Sequence, residues 1–216
     1  MVGNRYIVIE GVLGVGKTTL CEFLAKELKA RLILEALDAN PFLDKFYKDI
    51  RSYAFQTQIF FLLNRYRQQQ EIAQGDLFKR NLVCDYLFAK DKIFAYLNLE
   101  ENELSLYERL GSLLQDNILK PDLVIYLQAA TEVLHKRILA RGRSYEKNMD
   151  LQYLERVNQA YNYYFFHYQD TPLLVVNTND IDFVKNPEDM RLLVDQIHNM
   201  DKGTHYYTPI SKQEHK

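Results

Sequence analysis

Tryptophan is absent from the 216 residues, and cysteine, proline and glycine are scarce at two, five and eight. Cys21 and Cys84 both sit in apolar periodic segments, which reads as reduced core thiols in a cytoplasmic protein. Excess charge is lacking as well. A formal net charge of -2 provides no overall basic field to recruit nucleic acid, so none is expected as a partner. Apolar runs such as Ile59 to Leu63 and Leu123 to Leu127 fall far short of the roughly 18 residues a membrane span requires. Met1 to Tyr6 shows neither an apolar signal core nor a cleavage-site pattern, so no membrane or export partner is expected. His135 and His167 read as helix-surface or packing residues, and no His/Cys spacing suggests zinc. No internal repeat and no interior linker divides the chain.

A composition of 47% hydrophobic and 26% charged residues over this length suits one α/β domain with a buried core. Strand-like segments alternate with helical ones. Arg5 to Glu10, Leu32 to Glu35, Asn81 to Asp85, Leu123 to Leu127 and Leu173 to Val176 read as strands. Helical periodicity covers Thr18 to Ala30, Phe42 to Tyr47, Ala54 to Gln74 (closed by Gly75), Tyr86 to Leu97 and Glu103 to Leu119. It returns from Thr131, read as a capping residue, and in Leu151 to Tyr168 and Pro187 to Met200. The alternation predicts a doubly wound five-stranded parallel sheet with helices on both faces, over residues 1–202. Gly203 to Lys216 is polar and aperiodic and reads as a loose tail. An aromatic stripe through Tyr153, Tyr161, Tyr164, Phe165 and Tyr168 reads as core or subunit interface.

Three of the eight glycines fall within eight residues, Gly11-Val12-Leu13-Gly14-Val15-Gly16-Lys17-Thr18. That is G-x-x-x-x-G-K-[ST] between a predicted strand and a predicted helix. Glycines let backbone N–H groups turn inward around phosphate oxygens, where a Cβ would clash. The helix after the loop presents its positive end to the same oxygens. Lys17 is placed for the β- and γ-phosphates, the Thr18 hydroxyl for Mg²⁺, and Thr19 continues the site. The motif predicts ATP with Mg²⁺ and phosphoryl transfer.

Ligands of open α/β sheets sit at the carboxyl ends of the strands. Two other predicted strands end there in acids, Glu35 and Asp85. Transfer to a hydroxyl needs a carboxylate near the attacking oxygen and a metal near the phosphates, which suits Glu35 as base and Asp85 beside Mg²⁺. The plain alternative makes either acid a solvated loop residue.

Taken together, Ile9-Glu10-Gly11 before the P-loop, Glu35, Phe55-Gln56-Thr57 on a long helix, and Asp85 followed by Asp91 resemble the deoxynucleoside kinases. So does Arg137-x-x-x-Arg141-Gly142-Arg143-x-x-Glu146 followed by Tyr153-Leu154, in the same order over Arg5 to Phe183. The resemblance implies that Glu35 takes the proton of a 5′-hydroxyl and that Gln56 and Asp91 read the nucleobase. It places Tyr47 and Glu146 at the 3′-hydroxyl, with Tyr47 closer to Gln56 in sequence than the family's tyrosine. Arg141, Arg143 and Arg137 would form an arginine-rich lid over the transferring phosphoryl group. It further implies a homodimer through helices of the second half and the long Ala54 to Gln74 helix, and deoxyadenosine or deoxyguanosine is the expected substrate. On the residues alone, Gln56 is as well read as an exposed helix position, and the arginines as partners of a helix C-terminus.

Two positions depart from the family. Tyr86 stands where an arginine commonly follows the acid of the third strand, and Lys90, one helical turn on, is placed to supply the cation. Leu63 stands seven positions after Gln56 where a basic residue is expected, and Arg65 is placed to compensate. A monophosphate kinase resembling thymidylate kinase is the main alternative, and the missing arginine at Tyr86 speaks against it. A nucleotide-binding switch is another. Its guanine motif is matched only by Asn177-Thr178-Asn179-Asp180, a loop better suited to backbone contact with adenine.

Overall fold

The computed structural model describes residues 5–74, 81–115, 118–143, 146, 149–181 and 187–209. Six strands occur there: β1 (Tyr6–Gly11), β2 (Arg31–Ile33), β3 (Leu82–Cys84), β4 (Leu123–Gln128), β5 (Leu173–Asn177) and β6 (Thr204–Tyr207). The helices are α1 (Lys17–Glu27), α2 (Leu43–Phe46), α3 (Ile50–Gln74), α4 (Asp91–Asn98), α5 (Glu101–Gln115), α6 (Thr131–Arg141), α7 (Leu151–Phe166) and α8 (Pro187–His198). All strands pair in parallel, in the order β2-β3-β1-β4-β5-β6. β1 pairs Val8 with Cys84 on one side and with Val124 on the other. The chain fills one side of β1 first and then crosses to the other, so the sheet's order reverses around the strand that carries the P-loop.

Helices cover both faces, so the inner strands carry continuous apolar runs instead of an alternation. Every residue of β1 is buried, as are the first five of β4. Cys21 and Cys84 are buried without a bond between them. No helix among the described residues is long and apolar enough to cross a membrane.

Three expectations change. The sheet has a sixth strand, Thr204–Tyr207, inside the stretch read as a tail. It lies at the edge with only Tyr207 half-buried, so it shows no apolar alternation, and pairing with β5 alone orders it. Residues 210–216 and the expected helix stop at Gly75 lie outside the described residues. The helix expected from Tyr86 begins five residues later. Leu87 donates its amide to Glu10 Oε1 at 2.6 Å, which pins that segment to the end of β1, and a 3-10 turn over Phe88–Lys90 leads into α4. Thr131 is the first residue of α6 and does not cap it; its hydroxyl accepts from Asn158 Nδ2 at 3.1 Å.

Candidate active site

The C-terminal ends of β1, β2 and β3 open into a cavity of about 590 Å³. One wall is the loop between β1 and α1. Gly11, Gly14 and Gly16 all have positive φ, at 150°, 83° and 106°. A Cβ on Gly11 would strike the Leu127 carbonyl oxygen, and one on Gly14 would lie 2.8 Å from the Leu134 carbonyl oxygen. Leu13, Gly14, Val15, Gly16, Lys17, Thr18 and Thr19 all line the cavity, whereas the Val12 side chain packs into the core. Lys17 Nζ donates to the carbonyls of Gly11 at 2.6 Å and Val12 at 3.3 Å, and burial draws its pKa down.

The opposite part of the cavity is a network of buried charge. Glu35, just past β2, is gripped from both sides. Arg65 of α3 donates from Nε to Oε1 at 2.7 Å, and Lys90 Nζ donates to Oε2 at 2.9 Å. Burial alone would raise the Glu35 carboxyl, but Arg65 and then Lys90 outweigh it and hold the pKa down at about 2. Arg65 also pairs with Asp91 Oδ1 at the start of α4, and it is 3% exposed. Gln58 of α3 donates its amide to the Asp91 carbonyl at 2.8 Å. Asp91 Oδ2 is buried without a hydrogen-bond partner. Asp85 accepts the Glu35 amide at 2.6 Å, and burial raises its own pKa. Tyr47, Gln58, Arg65, Asp85, Lys90 and Asp91 all line the cavity with Glu35.

A third part comes from α6 and the residues just beyond it. Arg141 Nη2 lies 2.5 and 2.7 Å from the two carboxylate oxygens of Glu146, and Arg143 Nη1 lies 3.9 Å from Oε1. Arg137 donates to the carbonyls of Thr178 at 2.7 Å and Ile181 at 2.8 Å, which ties α6 to the loop after β5. That loop takes in Thr178, Asn179 and Asp180, just after Asn177 at the end of β5. Gly142, at φ 70°, closes α6 and turns the chain toward Arg143.

Three comparisons bear on this arrangement. A family model described as deoxynucleoside kinase matches residues 7–201. The chain belongs to the deoxynucleoside kinase family. Among its relatives, a deoxyguanosine kinase of Bacillus subtilis (strain 168) is 34% identical over 197 residues, covering 89% of this chain and 95% of that one. A deoxyadenosine/deoxycytidine kinase of the same organism is 32% identical over 202 residues, covering 90% and 92%. A solved deoxyadenosine kinase from M. mycoides, with dCMP and dCDP bound as products, superposes with a TM-score of 0.77 at 26% identity. That match covers 90% of this chain and all of the other. A deoxynucleoside kinase is a phosphotransferase.

One expected site residue of the deoxynucleoside kinase is misplaced. Gln56 is exposed on α3 and does not line the cavity, and Gln58 is the glutamine that does. Two residues along a helix are some 200° apart around its axis, so the two amides face opposite ways. Counted from Gln58, the basic residue expected seven positions on is Arg65 itself, and the spacing back to Tyr47 lengthens by two. The departure at Leu63 therefore disappears; that side chain is 52% exposed. The signal was the buried stripe Ala54, Gln58, Leu62, Arg65, Gln69 and Ile72, which keeps helical spacing but mixes polar with apolar residues. The departure at Tyr86 remains. Its ring is wholly buried away from the cavity, and Lys90 joins Arg65 as a cation on Glu35.

Among the described residues no cluster of three His, Cys, Asp or Glu side chains is arranged to hold a metal alone. The Thr18 hydroxyl and the Asp85 carboxylate reach the same cavity, and both are hard oxygen donors that suit a divalent ion carried in by phosphates.

Proposed function

We propose that the protein transfers the γ-phosphoryl group of ATP to the 5′-hydroxyl of a deoxynucleoside, as a step of nucleotide salvage. The observation that carries this reading is the meeting of Glu35, Gln58, Arg65 and Asp91 in one cavity with the P-loop. The phosphates of ATP would lie in the backbone cradle of Gly11 to Thr19, with Lys17 leaving its carbonyl partners for the β- and γ-phosphates. Mg²⁺ would be held by Thr18, by Asp85 and by phosphate oxygens, and it would neutralise charge on the phosphates. Arg141 and Arg143 would turn from Glu146 toward the transferring group, and Glu146 would then be released to the sugar 3′-hydroxyl beside Tyr47. Arg137 would order the loop whose backbone meets adenine.

Glu35 accepts the 5′-hydroxyl proton in this scheme. A carboxyl held near about 2 stays ionised and takes the proton late, once bonding to phosphorus has made the hydroxyl acidic. Four carboxylates (Glu10, Glu35, Asp85 and Asp91) stand against three cations, Lys17, Arg65 and Lys90, around the ends of β1 to β3. Such a surplus repels an acceptor phosphate, which favours a neutral nucleoside over the monophosphate of a thymidylate-kinase-like reaction. Gln58 and the unpartnered Asp91 Oδ2 would read the base. Both Bacillus subtilis relatives are named for a purine deoxynucleoside, one of them for deoxycytidine as well, and a purine is the substrate proposed here.

The protein is proposed to work in the cytoplasm as a homodimer through the face of α4 and α7. Tyr96, Tyr163 and Phe166 are 61%, 72% and 77% exposed there, an unusual aromatic density for a free surface. The test is a panel of four deoxynucleosides and their monophosphates with ATP, scored by kcat/KM. Turnover of a deoxynucleoside with little of its monophosphate is expected. Phosphorylation of a monophosphate alone, or of nothing, rejects the reading.

A further inference from the structure

Glu10 is wholly buried, one residue before the end of β1, and the proposed transfer gives it no step. Its Oε2 accepts the amide of Gly11 at 3.0 Å, the first residue of the P-loop. Its Oε1 accepts the amide of Leu87 at 2.6 Å. The same Oε1 lies 3.7 Å from Lys90 Nζ. Lys90 is 4% exposed, and its Nζ reaches Glu35 Oε2 at 2.9 Å. A buried ammonium therefore stands between two buried carboxylates, one at the root of the P-loop and one at the acceptor hydroxyl.

The two amides bind one to each oxygen, so both oxygens must accept, which an ionised carboxylate does and a neutral carboxyl or amide does not. A buried carboxylate is strongly disfavoured unless a cation compensates it, and Lys90 is the closest one to Glu10. Glu10 holds the segment around Lys90 twice, by the backbone at Leu87 and by the side chain at Lys90. The position of Lys90 is thus set by β1, the longest strand buried at every residue, and through Lys90 so is the position of Glu35. Arg65 grips the other oxygen of Glu35 from α3.

We propose that Glu10 and Lys90 are positioning residues that hold the Glu35 carboxylate in register with the P-loop, Glu10 acting through Lys90. This rests on the reading of Glu35 as the acceptor-side base. Lys90 also keeps positive charge beside Glu35, which lowers the repulsion between that carboxylate and an incoming γ-phosphate. Register between the attacking oxygen and phosphorus is worth much rate, because misplacement by about 1 Å can cost about 100-fold.

The experiment is a double-mutant cycle in the full chain with Glu10→Gln, Lys90→Met and the pair. It measures kcat and both KM values with ATP and the best deoxynucleoside of the panel, per molecule competent to bind ATP. Each single variant is expected to lower kcat by about 10- to 100-fold with KM values changed little. The pair is expected to be no slower than Lys90→Met alone, because Glu10 has nothing left to act through. Lys90→Arg is expected to recover part of the lost kcat, which a purely space-filling role would not predict. Lys90→Gln, of similar length and able to donate, takes the place of Lys90→Met if that variant does not fold. Multiplying losses in the pair, or a kcat near wild type without the charge at Lys90, overturns the proposal. An inactive wild type instead rejects the functional reading, and this inference with it.

Discussion

Gly11–Thr19 and the cluster around Glu35 line one cavity, yet they are built on different physics. The first offers backbone N–H groups in a turn that three glycines make possible, and its one cation rests on neighbouring carbonyls. The second offers side chains alone, with Glu35, Arg65, Lys90 and Asp91 each under 10% exposed at the side chain and each paired with another. A cradle of main chain depends on conformation, so a methyl group on Gly11 or Gly14 harms it more than a change at the cavity-lining Leu13. A buried ion network depends on balance, so loss of one member leaves another without compensation. In the proposed reaction the first half receives the triphosphate donor and the second the uncharged acceptor.

The largest effect should come from the reacting groups. Glu35→Gln is expected to lower kcat by about 10²- to 10⁴-fold with ATP affinity kept, as measured by calorimetry and steady-state turnover. Lys17→Ala should lower kcat by about 10²- to 10³-fold and weaken ATP as well. Equal weakening of ATP by both variants would mean that the halves are not separable. Next is stability. Arg65→Met strips both Glu35 and Asp91 of their shared cation and should destabilise the fold by about 3 to 5 kcal/mol in urea titration. A change below about 1 kcal/mol would show the network to be balanced by other groups.

Acid should act on the same network. The Glu35 pKa is lower in the fold than in the unfolded chain, so its contribution is present above the ordinary carboxylate range. It is lost as pH falls toward about 2. Glu10 and Asp85, raised by burial, act in the opposite sense. Stability measured between about pH 5 and 2 should therefore fall less steeply in Glu35→Gln than in the wild type. The smallest effect separates two glutamines. Gln58→Ala should raise the deoxynucleoside KM by about tenfold, the worth of about one hydrogen bond. Gln56→Ala should change stability by less than about 0.5 kcal/mol and leave KM alone.

The two glutamines also show where reading the chain stops. α3 presents Gln58, Arg65 and Gln69 inward and Leu63 outward, so the usual rule that apolar residues mark the buried face points the wrong way at the residues that matter. Only the elements packed on that face, which bring Glu35 and Asp91 to Arg65, explain why those polar groups are stable there. The edge strand Thr204–Tyr207 is a similar case, because its ladder with β5 orders residues whose own pattern is that of a tail.

By itself the sequence determined the parallel α/β architecture, the P-loop and the acids at the ends of β2 and β3. Those features are local: a glycine spacing, a run of β-branched residues and a charge at a strand end need no neighbour to be recognised. Tertiary structure decided which glutamine enters the cavity and that Arg65 joins Glu35 to Asp91. It also decided that Lys90 reaches Glu35 while Tyr86 turns into the core. Those are matters of facing and of charge compensation across residues up to 80 positions apart, and they are settled only when the strands and helices pack.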